Sequence, residues 1–450
     1  MADTRETLST DGKVLMGLLL VILFSPYLPQ FPPLDQRIRV DHILVPLVTL
    51  FVLARAAAAG SVAAPAYILF YAGFIAWLCV VTVITRNGPA LGYGVASKTQ
   101  MIAGLDAYTR PLEALLITAN ARVGRRELVA FVKTFLAAGV ILILIGVAQQ
   151  LPLISPTHDS AFNKFIISLY SNKEHDPFYL RLIGSGFAVS IFIQYGTYAL
   201  FCLLMFMTLV PQALGANLVN RRWLYFAILA LALFGGFQTG SKVFYGGMGV
   251  CLFLYLLFSP LPRVAIKSVR PRHIVITAAV IGIIYLALPF VYREGSNDYM
   301  VETMFKRFDI SSIYDTYFKT RFGSPDNPEA GKLFRTGAVD IMFNYPVAGL
   351  GFNVVNRTTD SLLFGILIMG GAVGGVLYLL FLTSVFYRLR TSVMRDENKT
   401  VAELGRAMLF LGIACLFIAI GFHTFIQDRS GDAFWLITGL LITVSGARFR

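Results

Sequence analysis

YREGSNDYMVETMFKRFDISSIYDTYFKTRFGSPDNPEAGKLFRTGAVDIMFNYPVAGLGFNVVNRTTD, residues 292–360, is the one long polar stretch in an otherwise oily chain. The apolar runs Ile274–Val291 and Ser361–Tyr387 flank it, each close to the roughly 20 residues that a helix needs to cross a bilayer. A structureless connection of this length is rare inside a compact protein. The stretch therefore reads as a folded lid or working surface between membrane spans. Apolar residues at helical spacing predict a helix near Tyr299–Phe308,. Gly323-Ser324-Pro325-Asp326-Asn327-Pro328 breaks the pattern,. A second helix is expected over about Ala330–Asn344, stopped by Tyr345-Pro346, with VAGLGFNVVN as a Gly-rich turn descending to the next span,.

Composition agrees with a membrane setting. The chain has 450 residues, 56% hydrophobic and 14% charged, with a mean hydropathy of +0.69; soluble domains carry about a quarter charged residues. A net charge of +13 would point to nucleic acid in a soluble chain. Here the surplus falls in short loops between apolar runs, where it reports orientation, so no nucleic-acid partner is expected. Cys79, Cys202, Cys251 and Cys415 sit singly in apolar runs, without metal-ligand spacing, and read as packing residues. The first apolar run has no A-x-A-like cleavage site after it and reads as a retained anchor.

Measured against a bilayer, the sequence holds about twelve spans. They are Val14–Leu28, Ile43–Ala59, Pro65–Ile84, Thr99–Ala119, Leu128–Gln149 and Leu182–Val210. Trp223–Thr239, Val243–Phe258, Ile274–Val291, Ser361–Tyr387, Ala407–Ile426 and Ala433–Gly446 follow. The first ends at Ser25-Pro26, since Pro29, Pro32 and Pro33 forbid its continuation,. The expected fold is an all-α polytopic integral membrane protein, residues 1–450 forming a single transmembrane domain. With both termini in the cytoplasm, the basic groups around Arg122–Arg126, Arg221–Arg222, Arg263–Arg272, Arg388–Arg406 and Arg448–Arg450 all fall inside,. The two long polar segments, 150–181 and 292–360, then lie outside. The first contains FNKFIISLY, an amphipathic turn suited to the interface,.

Charges within spans cost about 2.5–3.5 kcal/mol each on insertion scales and need a reason. Asp106, Arg110 and Glu113 share a helix face by their four- and three-residue spacing and form either a self-compensating brace or a functional group. Arg181 opens RLIGSGFAVSIFIQYGTY, in which Gln194, Tyr195 and Tyr198 are read as lying deeper on the same helix. Lys242 follows Ser241 in FGGFQTGSKVFYGG, a turn joining two spans; it either snorkels to water or meets a phosphate oxygen,. His423, Asp428, Arg429 and Asp432 crowd the last outer turn, where an Asp-Arg-Asp set reads as a salt-bridge knot and His423 as a core residue,. In this threading Arg181, Lys242 and the Asp428 turn share one boundary with Arg335, Arg357 and Asp360 of the long loop. Cations gathered at one depth suit a substrate with a lipid tail and an anionic head.

Four segments in this order resemble the O-antigen ligase and Wzy-type polysaccharide polymerase superfamily. RLIGSGF with the YGTY-bearing stretch is similar to its Arg-x-x-Gly-x-Phe segment, and FQTGSKVFYGG to its Ser-Arg or Ser-Lys turn. RTGAVDIMFNYPVAGLGF is similar to its Arg-led helix ending in Pro-x-x-Gly-x-Gly, and TTDSLLFGILIMGGAVGGVLYLLF to the block that follows. The resemblance covers roughly Arg181–Leu382,.

That resemblance implies a GT-C-like architecture and an inverting, metal-independent glycosyltransferase without cofactor. Its substrates would be undecaprenyl-pyrophosphate-linked oligosaccharides on the extracytoplasmic face of a bacterial inner membrane. A chain-length regulator and a flippase are the implied further partners. By position, Arg181 matches a pyrophosphate-binding arginine, Lys242 the basic residue of the turn, and Arg335 the arginine heading the loop's last helix. Ligases carry a catalytic His in the long loop; this loop has none, and Thr359-Asp360 stands near that place. The polymerase branch is therefore expected, with Arg181, Arg335 and Lys242 on the pyrophosphate and Arg357, Ser241 and Tyr195 beside them. Asp360 is the candidate base, with Asp340, Asp428, Arg429 and His423 as secondary candidates. The alternatives are a ligase-type glycan transferase and a precursor transporter or flippase.

Overall fold

The computed structural model describes residues 8–28, 38–86, 96–151, 153–171, 177–184, 187–192, 194–214, 222–259, 337–357, 361–426 and 429–446. Among them the chain is all-helical; the sole extended pairing is an isolated bridge between Tyr27 and Arg39. The first helices are α1 (Thr10–Phe24), α2 (Val40–Ala58), α3 (Ala66–Arg86), α4 (Lys98–Asn120) and α5 (Arg125–Gln150). Two short helices, α6 (Ala161–Tyr170) and α7 (Pro177–Gly184), precede α8 (Tyr195–Leu214), α9 (Arg222–Gln238) and α10 (Lys242–Phe258). After them come α11 (Ala338–Asn344), α12 (Leu362–Thr391), α13 (Lys399–Ile418) and α14 (Ser430–Gly446). Six of these, α2, α3, α5, α8, α12 and α13, are long and apolar enough to cross a membrane. This is the architecture of a multi-pass membrane protein. The expected span Ile274–Val291 and the expected helix Tyr299–Phe308 lie outside the described residues.

Local chemistry sets the helix ends. Ser9 caps α1 by accepting the Gly12 N–H, and the helix stops before Pro26 as expected,. Ser97 and Gln100 form a reciprocal capping box at α4, and the Asn398 side chain accepts the Thr400 and Val401 N–H groups at α13,. FNKFIISLY does form a helix, α6, opened by Ser160.

Helix ends fall into two sets, tied by hydrogen bonds and ion pairs. At the lower end Asp11 takes both guanidinium nitrogens of Arg55 and, at 2.6 Å, the N–H of Arg122. There too Arg125 pairs with Asp396 at 2.7 Å, while Glu403 accepts the hydroxyls of Tyr255 and Ser259, each at 2.9 Å. At the upper end Ser25 accepts the Asp41 N–H, and Ser361 donates to the Ala419 carbonyl. α8 is the central pillar, buried on every face between α5, α9, α10, α13 and α14,. A second centre is aromatic: Tyr71, Phe74, Tyr378, Phe381 and Trp435 pack ring against ring between α3, α12 and α14,.

Three expectations are corrected. The span Leu182–Val210 is not one helix: α7 ends at Gly184, Ser190–Phe192 forms a 3-10 turn with Ser190 at φ +50, and α8 starts at Tyr195. Gln149 on α5 makes the break affordable. Its Oε1 accepts the N–H groups of Val189 and Ser190 at 3.2 and 2.8 Å, and its Nε2 donates to the Ser190 carbonyl at 3.2 Å,. Ser361–Tyr387 forms α12, which extends to Thr391 but is interrupted at Gly371 (φ +59, ψ −159),. The helix expected over Ala330–Asn344 does not run through Gly337, which takes a left-handed conformation at φ +70; Ala338–Asn344 form a helix after it, and residues 330–336 lie outside the described residues.

Candidate functional site

The upper end brings together most of the sequence-derived candidates that the structure describes. Arg181 belongs to α7, and Tyr195 and Tyr198 belong to the separate helix α8. Tyr195 is exposed and its ring stacks on Phe187 at 5.7 Å. Tyr198 is buried instead, and its hydroxyl donates to the Ile143 carbonyl at 3.4 Å. The helix break thus puts Arg181 on a different helix from Tyr195 and Tyr198, which a continuous span would have carried together.

The turn between α9 and α10 is tight, as its sequence implies. Gly240 takes φ +56, Thr239 Oγ1 donates to the Gly236 carbonyl at 2.6 Å, and the Ser241 N–H donates back to Thr239 Oγ1 at 3.1 Å. Ser241 is buried and caps α10 by accepting the Val243 N–H. Lys242, half-buried, is the first residue of α10. The chain leaving α7 meets this turn: the Ala188 N–H donates to the Gln238 carbonyl at 3.0 Å. The side-chain amide of Gln238 is buried, and neither its oxygen nor its nitrogen has a hydrogen-bond partner. An unsatisfied buried amide costs about 1–3 kcal/mol.

The turn YPVAGLGF packs into the break in α12. Gly349 (φ +70) and Gly351 (φ +62) shape it,. The Phe352 N–H donates to Thr82 Oγ1 at 2.7 Å, and Asn353 Nδ2 donates to Thr82 O and Thr85 Oγ1 at 3.0 and 2.8 Å. Arg357 ends the 3-10 turn Gly351–Arg357 that follows. Asp340 is exposed on α11, which packs on α12. Arg335, Asp360 and Asp428 lie outside the described residues.

Arg429 has a bracing geometry. It is buried at φ +63, donates to the carbonyls of Ile191 and Ser25, and lies over the rings of Tyr170 and Phe192 at 5.2 and 5.9 Å,. It thereby ties α1, α6 and the 3-10 turn together. Burial pushes the Tyr170 phenol up in pKa, against the pull of the Arg429 guanidinium,. His423 is half-buried in the segment between α13 and α14.

Sequence reasoning passed over Arg39, Asp41 and His42, which sit just ahead of the second expected span. In the structure they join Arg110, so the group read as a brace within one helix reaches across three helices. The signal was available: an Arg-x-Asp-His run at a membrane boundary needs partners for its charges.

No protein-family model matches the chain, and no curated protein matches it.

Proposed function

We propose that the protein is a repeat-unit polymerase of an exopolysaccharide, capsule or O-antigen. The growing glycan is transferred from undecaprenyl pyrophosphate to the non-reducing end of a new lipid-linked repeat unit. The bond from the anomeric carbon to the pyrophosphate oxygen breaks as an acceptor hydroxyl attacks from the opposite face. The hydroxyl proton passes to a carboxylate, assigned to Asp360, and the lipid pyrophosphate leaves with the electron pair. Arg181, Arg335 and Lys242 stabilise the charge growing on that leaving group.

The observation that carries this reading is the hydrogen bond between Ala188 and Gln238. It joins the chain leaving the Arg181 helix to the turn that presents Lys242, so two basic positions distant in sequence belong to one end of the bundle. The buried, unpartnered Gln238 amide beside that junction offers a donor and an acceptor to a sugar or phosphate,. The lower end carries Arg55, Arg122, Arg125, Arg126, Arg388, Arg390, Arg395, Lys399 and Arg406. The positive-inside rule makes that end cytoplasmic and the candidate site extracytoplasmic, with both termini in the cytoplasm of a bacterial inner-membrane protein of about twelve spans.

The test is chain growth by the purified protein supplied with lipid-linked repeat units and no ion gradient. Long polymer is expected from the wild type, single units from Arg181→Ala and Arg335→Ala, and much shortened chains from Asp360→Asn. Long polymer from normally inserted Arg181→Ala and Arg335→Ala would refute the clamp. A transporter is the second reading, favoured by the interruption of α12 at Gly371 and the break between α7 and α8, since broken helices recur at carrier sites,. Gradient-dependent movement of lipid-linked units without chain growth would establish it. A ligase would instead reveal itself in a deletion strain by unattached full-length polymer.

A further inference from the structure

A cavity of about 190 Å³ lies at the lower end, between the starts of α5 and α13 and away from the residues assigned to the pyrophosphate. Its lining changes with depth. Arg125 on α5, with Asn398 and Thr400 at the start of α13, forms a polar rim. Leu128 and Val129, one turn further along α5, and Val401 and Leu404 on α13 form an aliphatic floor. Both helices are long and apolar enough to cross a membrane. The rim therefore stands at the water boundary and the floor toward the hydrocarbon. The space far exceeds the ~30 Å³ share of one water molecule.

Two cations stand at this cavity. The Arg125 side chain is 38% exposed, and its Nη2 donates to Asp396 Oδ1 at 2.7 Å. The same oxygen accepts the Asn398 N–H at 2.8 Å. Nε and Nη1 of Arg125 make no hydrogen bond among the described residues and are open to a ligand,. Lys133 shares a face of α5 with Arg125 and Val129 by its i, i+4, i+8 spacing,. It is exposed, with no hydrogen bond or ion pair among the described residues. Its Cα lies about 12 Å along the axis from that of Arg125, within the apolar span, where a lone cation is costly. Side chains of a helix tilt toward its N-terminus. The ammonium of Lys133 is thus carried back along Val129 toward the rim.

We propose that this cavity holds an anionic phospholipid of the leaflet at the lower end, with its phosphate between Arg125 and Lys133. The guanidinium offers the phosphate two directed donors and the ammonium a point charge. The aliphatic floor decides between sources of that phosphate. A free anion has no use for Leu128, Val129, Val401 and Leu404, whereas the glycerol and first methylenes of a lipid cover them. Basic pockets between membrane helices on the cytoplasmic side hold anionic headgroups for the same reasons. The site stands whether the protein polymerises glycans or moves them.

Native mass spectrometry of the full-length protein, loaded with equimolar phosphatidylglycerol and phosphatidylcholine of matched chains, tests this. The wild type is expected to retain phosphatidylglycerol over phosphatidylcholine. One cation beside an anionic headgroup is worth about a fivefold change in binding, so Lys133→Gln should lower the preference by that factor. Lys164→Gln, which alters an exposed lysine at the upper end, should leave it unchanged. Val129→Trp fills the floor and should lower retention of phosphatidylglycerol with no change in charge; should it fail to fold, Val129→Phe takes its place. Equal retention of the two lipids by the wild type, or a preference untouched by Lys133→Gln, overturns the proposal. So does an equal loss in Lys164→Gln, which marks general surface attraction. Displacement of phosphatidylglycerol by inorganic phosphate assigns the cavity to a free anion and overturns it equally.

Discussion

The N–H of Ala372 donates to the carbonyl of Pro346 at 2.8 Å, across the interruption that Gly371 makes in α12. Beside it the Val373 N–H meets the Val347 carbonyl at 3.2 Å, and the Leu350 N–H meets the Ile368 carbonyl at 3.1 Å. Trp77 Nε1 donates to the Gly370 carbonyl at 2.9 Å. Backbone groups that an interrupted helix leaves bare must be satisfied, because the apolar surroundings supply no water. Here the turn Pro346–Leu350 supplies most of the partners, so the turn and the break form one unit.

Gly371 and Gly349 are therefore expected to be irreplaceable by alanine. Gly371 holds φ +59 with ψ −159, a conformation essentially confined to glycine, and an added Cβ would overlap the Val347 carbonyl,. At Gly349, φ +70, the Cβ would overlap the Met369 carbonyl. Each substitution should cost on the order of 1–3 kcal/mol from backbone strain alone. Thermal unfolding in detergent measures it, and Gly246→Ala, where a Cβ meets open space, should leave the midpoint unmoved.

Gln149→Leu should damage the path to Arg181. The substitution removes the acceptor for two buried N–H groups and the donor to the Ser190 carbonyl. An orphaned buried polar group costs about 1–3 kcal/mol. The expected outcome is a lower unfolding midpoint together with faster amide exchange at Val189 and Ser190. Gln149→Glu retains the acceptor and should recover part of the loss; equal behaviour of the two variants would show that these bonds contribute little.

The elements that sequence reveals and those it hides differ in kind. The ends of α1, α9 and α10 were legible because Ser25-Pro26 and the Thr239–Ser241 turn act locally, through ring geometry and capping. The break between α7 and α8 was not, because a Gly-containing apolar run is compatible with a continuous helix. What breaks it is Gln149, forty-one residues from Ser190 in sequence, whose amide replaces the missing helical bonds. The interruption at Gly371 was hidden for the same reason: its compensating partners come from the turn at Pro346. Of the site, the shared turn of Ser241 and Lys242 was readable from spacing. The convergence of Asp41 and Asp432 on Arg110 was not, since no pattern in one helix reports the charge carried by its neighbours.

That convergence can be dissected by mutation. Arg39→Met leaves Asp41 fully buried, with Arg110 at 3.4 Å as the guanidinium that remains beside it. Breaking a buried pair from one side costs about 3–5 kcal/mol, whereas replacing both members by apolar residues is often neutral or better. Arg39→Met should therefore unfold at markedly lower temperature than Arg39→Met combined with Asp41→Leu. A double-mutant cycle without coupling would mean that the pair contributes no specific stabilisation.

Thiol labelling decides which end of the bundle faces the cytoplasm. Leu153 at the upper end is 95% exposed, and Lys399 at the lower end is exposed at the start of α13. The native thiols offer little background, since Cys202, Cys251 and Cys415 are buried and Cys79 is half-buried on α3. In intact cells whose outer barrier has been opened, a membrane-impermeant maleimide is expected to label Leu153→Cys at once. Lys399→Cys should react only after the inner membrane is permeabilised. The basic excess at the Lys399 end drives this outcome, because Lys and Arg in short loops are retained on the cytoplasmic side. The reverse pattern would put Lys242 and the Arg181 helix in the cytoplasm, where no glycan polymerisation on an extracytoplasmic lipid carrier could use them.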